Sequence, residues 1–253
     1  MVGAAVRTQN NTPESLHESE AMSAGKNTGR DLWVLVHDER AKLAEDLDNL
    51  SGEQWQHGTL CSDWTVEQVL AHLTAAASTN QRQWMRSMVG ARFRPDVHNR
   101  RRMAEHLGST PAQTLQRFRA VITSTTAPSA HTAAYLGEVL VHAQDIRQPL
   151  GLERTPSPAA LDPVAEFFAS RNFTVPSQTY ADGLQLRSAD SSFNAGYGLL
   201  VTGPVLALVM SMAGRTAYLD QLSGPGASTL RGRVERGLAK VSPPASGAGS
   251  VAQ

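Results

Sequence analysis

Glu138 and His142 are the two side chains whose types and spacing most clearly favour chemistry. They lie four residues apart in a segment, residues 130–148, that predicts a helix, so both project from one face, and Asp145 follows three residues later. A carboxylate and an imidazole one helical turn apart can bind the same divalent ion, which their oxygen and nitrogen donors suit. An ordinary surface pair explains the same spacing, since such helix pairs are common.

His72 is the third candidate ligand. It lies in an apolar stretch, residues 69–73, of a helix that Thr65 and Gln68 begin with a capping-box pattern, so we expect it to turn inward. A lone inward histidine is more often a hydrogen-bonded core residue than a ligand. Two helices that each turn a histidine inward, one with a carboxylate a turn away, match the metal sites of bundle cores. Three protein ligands leave one position open for water or substrate, as in catalytic zinc sites.

The helices that must position these residues follow one another along the chain. Apolar residues recur at three- and four-residue spacings over 31–50, and the cap at Thr65 predicts a helix to about residue 88. An arginine-rich connection leads to a helix over 111–124, and the helix over 130–148 comes last. Four helices joined by connections predict an antiparallel four-helix bundle.

Beyond Gly151 the pattern changes and predicts a small α+β domain over residues 155–240. Its expected elements are helices over 157–173 and 205–213 and strands over 184–188, 197–201 and 216–222. We place the bundle at 29–152 and expect the polar arm, residues 1–28, and the tail, residues 241–253, to be disordered.

Charge and composition exclude several classes of function. The 253-residue chain has a net charge of zero, which excludes a global polyanion binder and argues against a nucleic-acid partner. No apolar run approaches the roughly 20 residues that a membrane span needs. The single cysteine, Cys61, forbids an intramolecular disulfide and favours a cytoplasmic setting. Cys61 precedes a helix, where a thiol can act as a nucleophile, but we favour a packing role.

Several segments of the chain resemble the sequence motifs of a known protein family. Residues 59–73, with Cys61-Ser62-Asp63-Trp64-Thr65-Val66 before the histidine, resemble the N-terminal signature of the mycothiol-dependent maleylpyruvate isomerase family, within the DinB/YfiT-like metal-binding bundles. Glu138 and His142 look like that family's second ligand pair, and residues 201–215 are similar to its C-terminal pattern, an apolar helix that Gly-Pro opens and Gly-Arg ends. The resemblance covers about residues 30–225. It implies a mainly α fold, a DinB/YfiT-like four-helix bundle followed by a small α+β domain.

The resemblance also implies a site and an activity. His72, Glu138 and His142 would bind one divalent ion, zinc in the isomerase, and Arg215 would be catalytic, although a helix-end arginine is also common without a function. Asp145 either orients a histidine ring or is a helix-end surface charge. The implied enzyme uses mycothiol or a similar small thiol, held as a metal-bound thiolate nucleophile. Its partners are that thiol and a small electrophilic or unsaturated acid.

Two activities and one alternative class remain open at this point. The enzyme would either isomerise a cis double bond, as maleylpyruvate isomerase does, or transfer the thiol sulfur to an electrophile. The alternative is a metal-binding sensor or interaction protein that has lost the chemistry. One difference from the family pattern favours this alternative. The family helix before Gly-Arg usually carries a tryptophan, and residues 210–213 have none.

An arginine run between these motifs has three interpretations. A solvated face is favoured, recognition of carboxylates on a sugar-thiol or dicarboxylate is the functional alternative, and nucleic-acid binding is the least supported. Its members are Arg82, Arg86, Arg92, Arg94, Arg100, Arg101 and Arg102. We expect four further histidines to lie in connections or on polar faces without a role: His57, His98, His106 and His131.

Overall fold

The candidate ligands lie on two neighbouring helices of a helical bundle. The structure, a computed structural model, describes residues 29–61 and 64–241. The four helices that form the bundle are α1 (Gly29–Asp46), α3 (Val66–Ser78), α6 (Pro111–Arg119) and α7 (Thr132–Leu150), and the short α2 (Gly52–Trp55) precedes α3. The predicted bundle followed by a small α+β domain is confirmed. The expectations for residues 1–28 and for the tail from 242 onward lie outside the described residues.

Helix α3 begins as predicted and ends earlier. The Thr65 side chain accepts a hydrogen bond from the Gln68 backbone N–H, and the Gln68 side chain accepts one from the Thr65 N–H. The expected single helix to residue 88 is wrong, because the chain leaves the helix at Thr79 and a new helix, α4 (Gln81–Gly90), begins. Asn80 caps α4 with a second capping box, which makes a fresh helix start favourable there.

The arginine-rich segment is helical and not a connection as predicted. It contains α4 and a further helix, α5 (Pro95–His106), which packs against α3. Pro95 stands at the helix start, where its missing N–H costs no hydrogen bond. Arg92 and Phe93, with φ of 54° and 56°, turn the chain between the two helices. The helix α5 is mostly polar, so its few apolar residues show no helical period in the sequence. Its packing against α3 stabilises it instead.

Helices α6 and α7 differ from their predicted bounds by a few residues. α6 ends at Arg119 and not at residue 124. The chain that follows is held by the buried Arg40 of α1, which donates to the carbonyl oxygens of Val121, Ile122 and Ser124. α7 continues through Pro149 to Leu150, and Gly151 ends it in the left-handed conformation that glycine tolerates best.

The C-terminal part packs a three-stranded sheet with helices. Its helices are α8 (Pro158–Ser170), α9 (Ser177–Ala181), α10 (Val205–Met212) and α11 (Ala227–Val241), and its strands are β1 (Leu184–Ser188), β2 (Asn194–Gly196) and β3 (Leu199–Gly203). Two of these strands, β1 and β3, lie where strands were predicted, whereas β2 was not predicted. The sheet order is β2-β1-β3, with β1 antiparallel to β2 and parallel to β3. The predicted third strand over 216–222 is wrong: Thr216–Gln221 is a 3-10 helix, because Tyr218 and Leu219 are buried by packing and not by strand pairing.

One continuous hydrophobic core joins the bundle to the C-terminal part, through α7, α8 and α10. Gly137 of α7 allows a close approach, since a Cβ atom there would lie 3.1 Å from Phe168 Cζ of α8. The buried Arg147 donates from Nε to Asp46 at 2.7 Å, which ties α7 to α1. This packing brings the end of α10, and with it Arg215, next to α7. Among the described helices, none combines the length and apolar character that crossing a membrane requires.

Candidate active site

The three candidate ligands converge at one point between α3 and α7. His72 Nε2 lies 2.7 Å from Glu138 Oε1, and His142 Nε2 lies 3.7 Å from the same oxygen. The two imidazole rings are 5.1 Å apart and nearly perpendicular. Two helices that begin 66 residues apart in the chain have therefore placed two nitrogen donors around one carboxylate oxygen.

The donor atoms fit a single divalent ion. Those of His72, Glu138 and His142 all lie within 4.8 Å of one another. In a tetrahedral zinc site the donor atoms stand about 3.3 Å apart, since each bond is about 2.0–2.1 Å long. The two distances to Glu138 Oε1, 2.7 Å from His72 Nε2 and 3.7 Å from His142 Nε2, lie on either side of that value. Two histidines and one glutamate are also an established donor set for catalytic zinc.

Asp145 lies behind His142 and not at the protein surface. One of its oxygens is 2.9 Å from His142 Nδ1, and its side chain has no exposed area. Arg215 donates to both carboxylate oxygens, from Nε at 2.9 Å and from Nη2 at 2.6 Å, and its Nη1 donates to the carbonyl oxygen of Ala213 at 2.7 Å. The interpretation of Asp145 as a surface charge is therefore wrong, and the carboxylate connects His142 to Arg215.

The surroundings of Glu138 keep its carboxyl group ionised. Burial alone would raise the pKa of Glu138, but the hydrogen bond from His72 and the charges of His142 and Arg215 outweigh burial and hold that pKa at about 2. Similarly, burial would raise the pKa of Asp145, yet its hydrogen bonds with Arg215 and His142 lower it. Both carboxylates are anionic at neutral pH and suit a cationic partner.

His142 carries a proton when no metal ion is present. Burial alone would lower the pKa of His142, but hydrogen bonds with Asp145 and Cys61 and the negative charge of Glu138 raise it to about 10. The Arg215 guanidinium likewise has a raised pKa, because its bonds to Asp145 outweigh the effect of burial. In the metal-free site, two cations thus balance two carboxylates, and a metal ion would replace the proton on His142.

The ligand cluster opens into a cavity of about 560 Å³. Aromatic rings form much of its wall, from Trp64 beside His72 to residues of the C-terminal part. The aromatic members are Trp64, Trp84, Tyr135, Phe167, Phe168 and Phe173. These rings offer faces on which a ring or an unsaturated acid can stack beside the candidate ligands.

Cys61 lies on the cavity wall beside the metal residues. Its half-buried side chain packs against the hydrophobic core, in agreement with the packing role favoured from sequence, and also forms the hydrogen bond with His142. The preceding residue, Leu60, donates its backbone N–H to the carbonyl oxygen of Asp145 at 3.1 Å. The loop before α3 is therefore attached to α7 at the ligand cluster.

Sequence reasoning missed the contribution of α5. His98, for which no role was expected, is buried, lines the cavity and has its Nδ1 atom 2.8 Å from Ser87 Oγ. Asn99 and Arg102 of the same helix also line the cavity. The spacing of these three residues, i, i+1 and i+4, was readable from the sequence but has meaning only once the segment is known to be helical.

The chain is a helical bundle that holds a candidate metal centre between two of its helices, followed by a small α+β domain that reaches this centre through Arg215. Residues 36–134 match the family model of the mycothiol maleylpyruvate isomerase N-terminal domain. This segment, which contains His72, matches the family that the sequence motifs resemble, and that resemblance is confirmed.

Two solved structures are similar to the chain. One is the crystal structure of the mycothiol-dependent maleylpyruvate isomerase, with a TM-score of 0.55, 15% sequence identity and coverage of 79% of this chain and 94% of that chain. The other is a histidine-to-alanine mutant of the same isomerase, with a TM-score of 0.54 and the same identity and coverage. At this identity the likeness shows a shared fold, which extends beyond the bundle. No curated protein matches the chain.

Proposed function

We propose that the chain is a metal-dependent enzyme that uses a low-molecular-weight thiol of the mycothiol type. It either isomerises a cis-unsaturated acid such as maleylpyruvate or transfers the thiol sulfur to an electrophile. The observation that carries the proposal is the convergence of His72, Glu138 and His142 on one point, at the wall of an aromatic-lined cavity. The family of the bundle and the fold of the similar structures support it. We propose the cytoplasm as its compartment, since the chain has a single cysteine.

In this proposal His72, Glu138 and His142 hold a divalent ion, zinc by preference, because two imidazoles and one carboxylate suit that metal. Three protein ligands leave a position open towards the cavity. When bound, the ion supplies a positive charge that favours the thiolate form of the small thiol, which is the nucleophilic form.

Asp145 acts in the proposal as a positioning residue for His142. The Nδ1–H group of the ring donates to Asp145, which fixes the tautomer and leaves Nε2 available as a ligand atom. Arg215 in turn fixes Asp145 through two parallel hydrogen bonds. Because Arg215 also lines the cavity, its remaining N–H groups can donate to a substrate oxygen and stabilise negative charge there.

Both candidate reactions begin with attack of the thiolate sulfur on a carbon atom, and they differ in which bond breaks afterwards. In isomerisation, the thiolate adds to the activated double bond, a C–S bond forms, and the π electrons move to the conjugated carbonyl oxygen, where Arg215 can stabilise them. Rotation about the new single bond and expulsion of the thiolate then restore the double bond in the trans form. In sulfur transfer, the thiolate forms a C–S bond at the electrophilic carbon, and the leaving group departs with the electron pair of the broken bond.

Metal content and thiol chemistry together test the proposal. Purified protein is analysed for bound zinc, and consumption of mycothiol with an electrophile panel and isomerisation of maleylpyruvate are measured. We expect about one metal ion per chain and one of the two activities, both lost in His72→Ala and His142→Ala. His57→Ala, which changes an exposed histidine, is the matched control and should alter neither. Metal binding without either activity would favour the sensor alternative, and a full metal content in both ligand variants would refute the ligand assignment.

A further inference from the structure

Helix α5 presents a hydrogen-bonding surface to the cavity that is separate from the metal residues. His98, Asn99 and Arg102 all line the cavity from this helix, whereas the candidate metal ligands lie on α3 and α7. The imidazole of His98 is uncharged at neutral pH, because burial and the nearby Arg102 charge lower its pKa. Arg102 is therefore the cation on this part of the wall.

Two hydrogen bonds hold the Arg102 guanidinium in place. Its Nη2 donates to Thr79 Oγ1 at 3.0 Å, and its Nη1 donates to Glu105 Oε2 at 2.6 Å. The Thr79 hydroxyl donates its own hydrogen to the carbonyl oxygen of Ala75 at 2.7 Å, so its oxygen is available as an acceptor. A side chain fixed in this way loses little conformational freedom when a ligand binds.

The Arg102 guanidinium has N–H groups left that can donate hydrogen bonds to a ligand. It carries five N–H hydrogens, and the two bonds described use two of them. The Nε atom is buried and has no hydrogen-bond partner among the described residues. The Arg102 side chain is 18% exposed, so it is largely shielded from water without being sealed off.

The existing partner of Arg102 is a weak competitor for a ligand. The Glu105 side chain is 56% exposed, and an ion pair so close to water contributes little. At the other end of the cavity, Arg215 uses three of its five N–H groups within the protein, two on the buried carboxylate of Asp145 and one on Ala213, so fewer remain for a substrate carboxylate. Of the seven arginines between residues 82 and 102, all within the described part of the chain, Arg102 is the one on the cavity wall. The other six are exposed.

We propose that Arg102 binds a carboxylate of the substrate, so that the site selects carboxylate-bearing electrophiles over their neutral amides. The inference rests on the proposed function, which places the substrate in this cavity. The fork of an arginine matches a carboxylate with two parallel hydrogen bonds, and the neighbouring Asn99 amide can donate a further one. The run of arginines thus divides into a solvated face and one recognition residue.

Binding of an unreactive probe pair tests the assignment. The affinities of succinate and its neutral counterpart succinamide are measured by isothermal titration calorimetry on the metal-loaded protein without thiol. We expect the wild type to prefer succinate, and this preference to fall about 10-fold or more in Arg102→Gln, as for loss of a charge-assisted hydrogen bond. Arg102→Lys should be intermediate, because it keeps the charge and loses the fork.

A second variant separates ligand binding from a purely structural role. Glu105→Gln removes both the pairing with Arg102 and the negative charge that would repel a carboxylate bound there, so succinate should bind several-fold more tightly, a gain that a structural Arg102 would not produce. Arg86→Gln, an exposed arginine of α4 outside the cavity, is the matched control and should leave the preference unchanged. An equal preference in the wild type and Arg102→Gln, or no preference in the wild type, would overturn the assignment.

Failure of this inference can be told apart from failure of the proposed function. If metal content and thiol chemistry are normal but the preference for succinate over succinamide is the same in the wild type and in Arg102→Gln, only the inference about Arg102 is contradicted. An Arg102-dependent preference in a protein without thiol chemistry would contradict the proposed function and leave carboxylate recognition standing.

Discussion

Arg215 donates two hydrogen bonds, at 2.9 and 2.6 Å, to the buried carboxylate of Asp145. The two residues come from different parts of the chain, Arg215 from the turn after α10 and Asp145 from the bundle helix α7. Since Asp145 also contacts His142, the C-terminal part is connected to the candidate metal centre through a single carboxylate. Through this connection the C-terminal part influences the orientation of His142, a candidate metal ligand.

Substitution of Asp145 should weaken metal binding without removing a ligand. Asp145→Asn keeps the size of the side chain but loses the charge that orients and polarises the His142 ring. We expect zinc affinity to fall about 10–100-fold, as for other changes behind a ligand histidine. Competition with a chelating indicator measures the affinity. Asp220→Asn, which alters an exposed aspartate paired with Arg231, should leave it unchanged.

Arg215 should matter more for turnover than for metal affinity. Arg215→Gln removes the cation that lines the cavity, and we expect kcat to fall about 100-fold or more, as for other losses of charge stabilisation. Zinc affinity should fall less than in Asp145→Asn, because the carboxylate remains. Parallel kinetics and zinc titrations check this order. Equal losses in both measurements would mean that Arg215 only supports Asp145.

Metal binding should release a proton from His142 at neutral pH. Zinc binds the neutral imidazole, whereas the pKa of His142 is raised to about 10 in the metal-free protein. Glu138, with its pKa held at about 2, is already ionised and contributes no proton. Zinc affinity should therefore rise about tenfold per pH unit between about pH 7 and pH 9.

Calorimetry in buffers of different ionisation enthalpy counts the released protons directly. We expect about one proton per zinc at pH 7, falling towards zero above pH 10. His72→Ala keeps His142 and its proton, so proton release should persist in that variant wherever zinc still binds. A pH-independent affinity with no proton released would show that His142 is neutral before the metal arrives.

The close packing of α7 on α8 makes a prediction about stability. Gly137→Ala places a Cβ atom 3.1 Å from Phe168 Cζ and 3.2 Å from a Val164 methyl group, in the core that joins the two parts. We expect a loss of about 1 kcal/mol in the free energy of unfolding, against the usual gain from Gly→Ala in a helix. Urea denaturation checks it. Gly52→Ala, where nothing lies within 4 Å, should show no such loss.

Local signals explain which parts of the fold the sequence predicted well. Thr65 and Gln68 form the capping box that their types indicate, and the alternation in residues 184–188 corresponds to strand β1. Helix α5 was missed because its residues are mostly polar, so no apolar period marks it. The prediction of a strand over 216–222 is wrong because tertiary packing, which a local pattern does not contain, decides the conformation of this segment.

In the candidate site, too, local sequence patterns predict some residues, whereas others come together only through tertiary packing. The i, i+4 spacing of Glu138 and His142 predicts that both side chains project from one face of a helix. The apolar surroundings of His72 predict an inward histidine, and the structure places it beside the other two. The contact between Asp145 and Arg215 spans 70 residues and depends on how α10 packs against α8, which in turn packs against α7. The periodicity of a single sequence does not encode contacts between residues so far apart. For the same reason, the position of Arg102 on the cavity wall was not predicted.

In the proposed enzyme, His72, Glu138 and His142 hold a metal ion to which the small thiol has direct access. Substitution with Co²⁺ tests this arrangement, since the visible spectrum of that ion reports its coordination. We predict a four-coordinate spectrum in the wild type, a new thiolate charge-transfer band on addition of mycothiol, and neither feature in His72→Ala. A spectrum that mycothiol leaves unchanged, or one that His72→Ala retains in full, would contradict the account.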